Sequence, residues 1–172
     1  MRERPEPWLR GPVAGVHPSL APALYVFEQT REDLATHTAG LSTADVWARP
    51  HGLAPLGFHL RHIAGSVDRL ATYLAGRGLN DEQMMALHGE MEPGAELNIL
   101  LADVDRALLR AEEVIRALDP NTFGDTRYVG RQQLPVTAIG LVVHIAEHTE
   151  RHLGQAISAA KLARASRRFP LP

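Results

Sequence analysis

The sequence predicts an all-α protein, specifically a four-helix bundle with short connecting helices. Four long segments repeat their apolar residues at the helical period of about 3.6, and no segment alternates polar and apolar residues as a half-buried strand would. The chain has 172 residues, of which 45% are hydrophobic and 22% are charged. This length and composition are typical of one globular domain, here residues 1–172, with a single core.

Charge and cysteine content exclude several classes of protein. The net charge is −2, so no overall field attracts nucleic acid or an anionic membrane, and we expect neither as a partner. The chain has no cysteine, which leaves histidine and carboxylate as its strong metal ligands. No apolar run approaches the ~18 residues of a membrane span, and the N-terminus is too polar for a secretory signal. We therefore expect a cytoplasmic protein.

The N-terminal segment Met1–Pro18 is predicted to be an extended arm, because its four prolines prevent a continuous helix. Trp8 and Leu9 are the apolar residues expected to dock this arm on the helices or on a second subunit.

The first long helix is predicted from Ser19, its N-cap, to Ala39, with Gly40 as its stop. A short helix follows, in which Ser42 is the N-cap and Asp45 lies in the first turn.

The other elements follow in order. The second long helix is predicted over Leu56–Ala75, a short capped helix over Asn80–His88, and the third long helix over Ala95–Leu118. A loop is predicted over Asp119–Pro135. Pro135 then opens the fourth long helix, which continues to about Arg164.

The predicted loop is long enough to have a function of its own. A simple crossover is the preferred interpretation. The alternative is that its polar side chains reach over one end of the helices: Asp125, Arg127, Tyr128 and Arg131.

The fourth long helix carries a dense histidine group, His144, His148 and His152, within LVVHIAEHTERHLGQ. Histidines four residues apart on a helix lie about 6 Å apart along its axis and suit a divalent metal. The charged face of this helix places His148 and His152 inward and His144 at the rim. The alternative is a helix whose core histidines are satisfied by hydrogen bonds.

The second long helix carries the other pair, His59 and His62, within FHLRHIAGSVDRL. Relative to the apolar stripe of this helix, His59 lies about 60° to one side and His62 about 120°. The helical wheel alone therefore prefers His59 as the inward residue, although a second packed neighbour would also turn His62 inward.

One rival motif is present. His144-Ile-Ala-Glu147-His148 fits the H-x-x-E-H pattern of inverted zinc peptidases. Those enzymes need a further acidic ligand downstream, and the chain has no Asp or Glu after Glu150. We therefore expect the match to be accidental.

The two histidine motifs, FHLRHIAGSVDRL and HIAEHTERHLGQ, resemble those of the DinB/YfiT-like metalloenzymes, and the resemblance covers nearly the whole chain. It implies a metal-binding four-helix bundle of up-and-down connectivity, often dimeric, with one ligand from the second helix and two from the fourth. Carried over by motif, the ligands are His62, His148 and His152. His59 and His144 are then alternative ligands or hydrogen-bond partners of the ligands.

One position departs from the family pattern. Many members carry arginine in a His-Arg-Gly-Gln signature, where this chain has Leu153. Any role of that arginine in binding substrate therefore does not carry over to this chain.

The function expected from these residues is that of a metal-dependent enzyme. Three neutral histidines bind zinc, nickel, iron or manganese and leave positions open for water or substrate. The resemblance further implies chemistry with a low-molecular-weight thiol such as mycothiol or bacillithiol. We expect a hydrolase or thiol S-transferase acting on a small-molecule substrate, in a homodimer. The alternative is a non-catalytic metal-binding or stress-response bundle that binds a ligand.

Overall fold

The computed structural model describes residues 4–168, and most of them are helical. In chain order the elements are α1 (Ala21–Thr38), α2 (Thr43–Val46), α3 (Leu56–Leu74), α4 (Asp81–His88), α5 (Leu97–Arg116), β1 (Thr126–Val129), β2 (Leu134–Thr137) and α6 (Ala138–Arg168). The prediction of a mainly helical protein is confirmed. The first three residues of the predicted arm and the last four of the predicted 1–172 domain lie outside the described part.

Helices α1, α3, α5 and α6 correspond to the four long helices predicted from the sequence. Each has an apolar stripe at helical spacing, and the stripes meet in one core. Phe27, Leu60, Leu108 and Ile145, one from each helix, are completely buried there. Across residues 4–168, no helix is both long and apolar enough to cross a membrane.

Helices α3 and α5 run parallel. At the start of α3, Gly57 lies against Trp47, whose Nε1 donates to the carbonyl of Ala95 just before α5 (2.9 Å). Further along both helices, Arg110 Nε donates to Asp68 (3.1 Å). The expected up-and-down connectivity is therefore wrong, because it requires consecutive long helices to be antiparallel. The connection between α3 and α5, which contains α4, is long enough to return the chain to its starting end.

Helices α1 and α6 also run in the same direction. The imidazole of His17, before α1, lies 5.2 Å from the ring of Phe123, which precedes the hairpin and α6. At the other end, Arg164 donates to the carbonyl of Ala39. Helix α6 packs between α1 and α3 and is antiparallel to α3. The long helices thus run up, down, down and up in chain order.

The caps of the two short helices are confirmed. Ser42 Oγ accepts from the amide of Asp45, and Asp45 accepts from the amide of Ser42 (3.3 and 2.6 Å). Asn80 and Gln83 form the same reciprocal pair (2.8 and 3.1 Å). The prediction of Ser19 as the cap of α1 is wrong, because no side chain caps that helix.

The predicted loop Asp119–Pro135 instead contains most of a β-hairpin. Strands β1 and β2 pair antiparallel, with Tyr128 opposite Pro135. The turn between them is closed by the amide of Gln133, which donates to the carbonyl of Gly130 (3.1 Å). Pro135 is tolerated because both strands of a two-stranded sheet are edge strands.

Helix α6 consequently begins three residues later than predicted, at Ala138. The hydroxyl of Thr137 accepts from the amide of Gly140 (3.1 Å) and caps its first turn. Pro135 therefore does not open the helix.

The described part of the predicted arm, residues 4–18, lies against α1. Arg10 donates to Glu28 and Glu32 of that helix (2.6 and 2.7 Å). Trp8 and Leu9 are 61% and 56% exposed, so they do not dock the arm on the helices.

Candidate metal centre

Three of the sequence-predicted site residues come together between α3 and α6. His62 of α3 faces His148 and His152 of α6, because the two helices are antiparallel neighbours. The Nε2 atoms of His62 and His148 are 2.9 Å apart. One ring nitrogen of each of the three residues lies within 4.8 Å of the others, and all three side chains are half-buried. We call His62, His148 and His152 the histidine cluster.

His59 lies beside this cluster but outside it. It is 6% exposed, so the helical-wheel prediction that it points inward is confirmed. Its Nδ1 is 3.5 Å from Nδ1 of His152, too long for a strong hydrogen bond. Since α6 is a second packed neighbour of α3, His62 also turns inward, and it is the residue that reaches His148.

His144 lies at the rim, as predicted. Its ring centroid is 5.5 Å from that of His148, and its Nδ1 lies 3.2 Å from a carboxylate oxygen of the exposed Glu147. Glu147 also pairs with Arg151 on the solvent face of α6. The structure gives the H-x-x-E-H match no support, because its glutamate pairs with Arg151 and is not among the three residues of the cluster.

A buried carboxylate that sequence reasoning missed contacts the cluster. Glu90, in the segment after α4, is 6% exposed. It accepts from His62 Nδ1–H (2.7 Å) and from Arg69 Nη2 (2.9 Å). With the proton on Nδ1, the lone pair of His62 Nε2 is directed at His148. Metal-binding histidines are commonly held by such a carboxylate.

Gly65 makes room for this ion pair. A Cβ atom at Gly65 would lie 2.6 Å from Arg69 Nη1 and 3.0 Å from Glu90 Oε1. A single glutamate in an irregular segment has no periodicity, so no sequence signal marked Glu90. Gly65, one turn after His62, was the sequence feature that could have indicated a close contact on this face of the helix.

Burial favours the neutral form of His59, His148 and His152. Burial, followed by the nearby imidazoles, lowers the pKa of His59 and of His148 to about 4. Burial likewise lowers the pKa of His152. Burial alone would raise the pKa of Glu90, but the hydrogen bond from His62 and the charge and hydrogen bond of Arg69 contribute to lowering it overall. Neutral imidazoles beside an ionised carboxylate are the protonation states that metal binding requires.

The donor set of the cluster can hold a metal ion. Nδ1 of His148 is buried and has no hydrogen-bond partner among the described residues, while Nε2 of the same ring faces Nε2 of His62 (2.9 Å). Contacts among the described residues thus leave one nitrogen of His148 unsatisfied. Three neutral imidazoles are a donor set that divalent metals accept.

His62 and His148 also line a pocket of about 560 Å³. Its other walls come from the second half of α3, the segment around α4, and the turn of the β-hairpin. The remaining lining residues are Ser66, Arg69, Leu70, Tyr73, Leu79, Met84, Leu87, His88, Gly130, Arg131 and His144. The cluster is therefore accessible to a small molecule.

The four polar residues singled out in the predicted loop lie in different environments in the structure. Arg131 lines the pocket, so the alternative that this segment reaches over the site holds for that residue. Arg127 instead donates to the carbonyl of Leu74 (2.8 Å). Tyr128 is exposed on the hairpin, and Asp125 accepts from the amide of Ala138 through its own carbonyl (2.9 Å).

Leu153, the position that departs from the family signature, is 2% exposed and belongs to the core. Its side chain is therefore packed away from the pocket.

Comparison with protein-family models finds a match to the DinB superfamily over residues 26–156. This range includes both histidine motifs and Glu90, and it is well over half of the chain. A comparison with curated proteins finds no match.

Proposed function

The chain belongs to the DinB superfamily, and we propose that it is a metal-dependent enzyme whose ligands are His62, His148 and His152. The observation that supports this proposal is the convergence of one ring nitrogen from each residue within 4.8 Å. Three such nitrogens hold zinc, nickel, iron or manganese and leave positions for substrate.

A divalent ion bound there would promote deprotonation of a water molecule or a thiol and polarise an oxygen of the substrate. The protein's own residues prepare the site. Glu90 fixes the tautomer and orientation of His62. Burial keeps His148 and His152 neutral, so their nitrogens are free to donate electron pairs.

We propose that the reaction is hydrolysis or transfer to a low-molecular-weight thiol, with a small molecule in the adjoining pocket as the second reactant. The pocket volume of about 560 Å³ is in the usual range for small-molecule sites. The thiol, with mycothiol and bacillithiol as candidates, rests on the resemblance of the histidine motifs alone.

The second candidate is a non-catalytic metal-binding or stress-response protein that binds a ligand. One observation favours it. Glu90, the carboxylate nearest the cluster, already accepts from His62 and Arg69, and none of the described pocket residues is an Asp or a Glu. A general base would then have to be a histidine, such as His88 or His144.

Metal content tests the ligand assignment. The full-length protein is purified without chelator, and its metals are measured by inductively coupled plasma mass spectrometry. We expect one ion per chain in the wild type and loss of most of it in His62→Ala, His148→Ala and His152→Ala, with helical circular dichroism nearly unchanged.

His144→Ala is the matched control, and it should retain metal because this histidine is exposed and paired with Glu147. His59→Ala discriminates between the helical wheel and the motif. Loss of metal in His59→Ala combined with full metal content in His62→Ala would show that the ligand assignment is wrong.

Turnover separates the two candidates. The protein is loaded with each of the four metals and supplied with bacillithiol or mycothiol and an electrophile, and consumption of the thiol is followed. We expect catalysis with at least one metal and none in His148→Ala. Full metal occupancy without turnover of thiols or of hydrolysable esters would favour the non-catalytic candidate.

We further infer that the four long helices form a four-helix bundle, since their stripes share one core, and that residues 1–172 are one domain. The homodimer and the cytoplasmic location stay predictions.

A further inference from the structure

We propose that the pocket beside the histidine cluster binds a small organic anion with an apolar body, and that Arg131 recognises the anionic group. This inference rests on the proposed function, because it names the class of substrate that the same site would take.

The charges on the pocket wall have one sign. None of the described lining residues is an Asp or a Glu, and the wall contains two arginines, Arg69 and Arg131. The charge of Arg69 is balanced by Glu90, which lies buried 2.9 Å away. The positive charge of Arg131 has no carboxylate on the wall to balance it. The pocket therefore favours a negatively charged ligand.

Arg131 stands where it can contact a ligand that enters from solvent. It lies in the turn between β1 and β2 and is exposed. The preceding Gly130 has a φ of 72°, the left-handed conformation that glycine tolerates best. Arg127 of the same hairpin is held by the carbonyl of Leu74 (2.8 Å) and so has a structural role. Arginine suits this task because its planar guanidinium can donate two parallel hydrogen bonds to a carboxylate.

The rest of the wall is suited to an apolar body. Leu70 and Tyr73 of α3, Leu79 of the following segment, and Met84 and Leu87 of α4 contribute side chains to the pocket. Binding an apolar group among them removes apolar surface from water on both partners. A ligand with a phenyl or short alkyl group at one end and a carboxylate at the other would contact both parts of the wall.

The test uses a probe series of constant shape: 4-phenylbutyrate, the neutral 4-phenylbutanamide and the cationic 4-phenylbutylamine. Binding is measured by NMR titration of the metal-free, full-length protein, so that direct coordination of the carboxylate to a metal cannot contribute. We expect the carboxylate to bind about fivefold more tightly than the amide, the ratio expected for one partly exposed charge pair. The amine should bind more weakly than the amide.

Three variants locate the effect. Arg131→Gln should reduce the preference for the carboxylate over the amide to about one. Arg106→Gln, which removes an exposed arginine of α5 outside this pocket, should leave the preference unchanged. Leu79→Gln should weaken the carboxylate and the amide equally, since it alters only the apolar part of the wall. Both arginines are exposed, so neither change should disturb the fold.

The inference is overturned if the wild type binds the amide or the amine as tightly as the carboxylate, or if Arg131→Gln keeps the wild-type preference. A protein that holds metal and turns over substrate but shows no carboxylate preference would overturn this inference alone. A protein that prefers the carboxylate but never retains metal would overturn the proposed function and leave the anion site standing.

Discussion

At the scale of single residues, Glu90 decides how the candidate site is organised. It connects the buried guanidinium of Arg69 to the ring of His62, so a charge from one segment sets the tautomer of a histidine in another. Three half-buried imidazoles without such a partner could each adopt either tautomer.

Replacing this carboxylate should weaken metal binding. We expect Glu90→Gln to lower zinc affinity about 10–100-fold, as is usual when a partner of a metal-binding histidine is lost. The measurement is a competition titration with a chromophoric chelator at pH 7. Since Glu90→Gln also leaves Arg69 buried and unpaired, the double variant Arg69→Met/Glu90→Gln serves as the control for stability. It should recover thermal stability while keeping the weak zinc affinity. Wild-type affinity in both variants would show that Glu90 has no positioning role.

Buried neutral histidines should also make the metal-free protein sensitive to acid. The pKa of His59 is about 4 in the folded protein, against about 6.5 in an unfolded chain. Between these values the unfolded chain binds protons that the folded protein does not, so stability falls as pH decreases from 6.5 towards 4. The contribution of His59 is about 3 kcal/mol at most.

Urea unfolding between pH 7 and 4.5 measures this loss. His59→Gln, which does not titrate, should lose less stability than the wild type over that range. The exposed His144→Gln should behave like the wild type. An equal loss in His59→Gln would show that burial of His59 does not contribute to acid sensitivity.

At the scale of elements, close packing at the start of α3 joins three segments. The indole of Trp47 lies on the bare backbone of Gly57 and donates to the carbonyl of Ala95. This contact fixes the entry of α3 beside the entry of α5 and so contributes to their parallel arrangement.

Replacing a helical glycine by alanine should therefore lower the free energy of unfolding at Gly57 and raise it at Gly154. In Gly57→Ala, the added methyl group would lie 2.7 Å from the Trp47 ring, and such overpacking costs about 1–3 kcal/mol. In Gly154→Ala, the methyl group meets nothing within 4 Å, and α6 should gain about 0.5–1 kcal/mol from the higher helix propensity. Urea unfolding of both variants checks the signs. Equal effects would mean that the Trp47 contact is not tight in solution.

At the scale of the whole molecule, the N-terminal arm exposes apolar surface. Arg10 forms salt bridges with Glu28 and Glu32 of α1 and so holds the arm against this helix. Trp8 and Leu9 of the arm are exposed. A second subunit would cover these side chains.

We therefore predict a dimer of about twice the 18.9 kDa chain mass. Sedimentation equilibrium at micromolar concentration measures it, and Trp8→Ser/Leu9→Ser should shift the equilibrium towards the monomer. A single 18.9 kDa species at all concentrations would contradict the prediction.

The sequence by itself determined the long helices and the candidate ligands. Apolar spacing at the helical period predicted α1, α3, α5 and α6, because helix formation and the orientation of a helical face depend on residues within a few positions. The spacing of His148 and His152, together with the motif around His62, singled out the histidines that the structure brings together. These features are local, so they can be read along the chain.

Only the tertiary structure decided the remaining features. The two strands of the hairpin have four residues each, too few for a pattern of period two, and they form because they pair with each other. The up-down-down-up order depends on how the connection through α4 returns beside α3. Glu90 reaches His62 across that same connection, 28 residues away in the chain. Contacts of this kind depend on packing between segments that are distant in the chain. The spacing of apolar residues in the sequence therefore does not predict them.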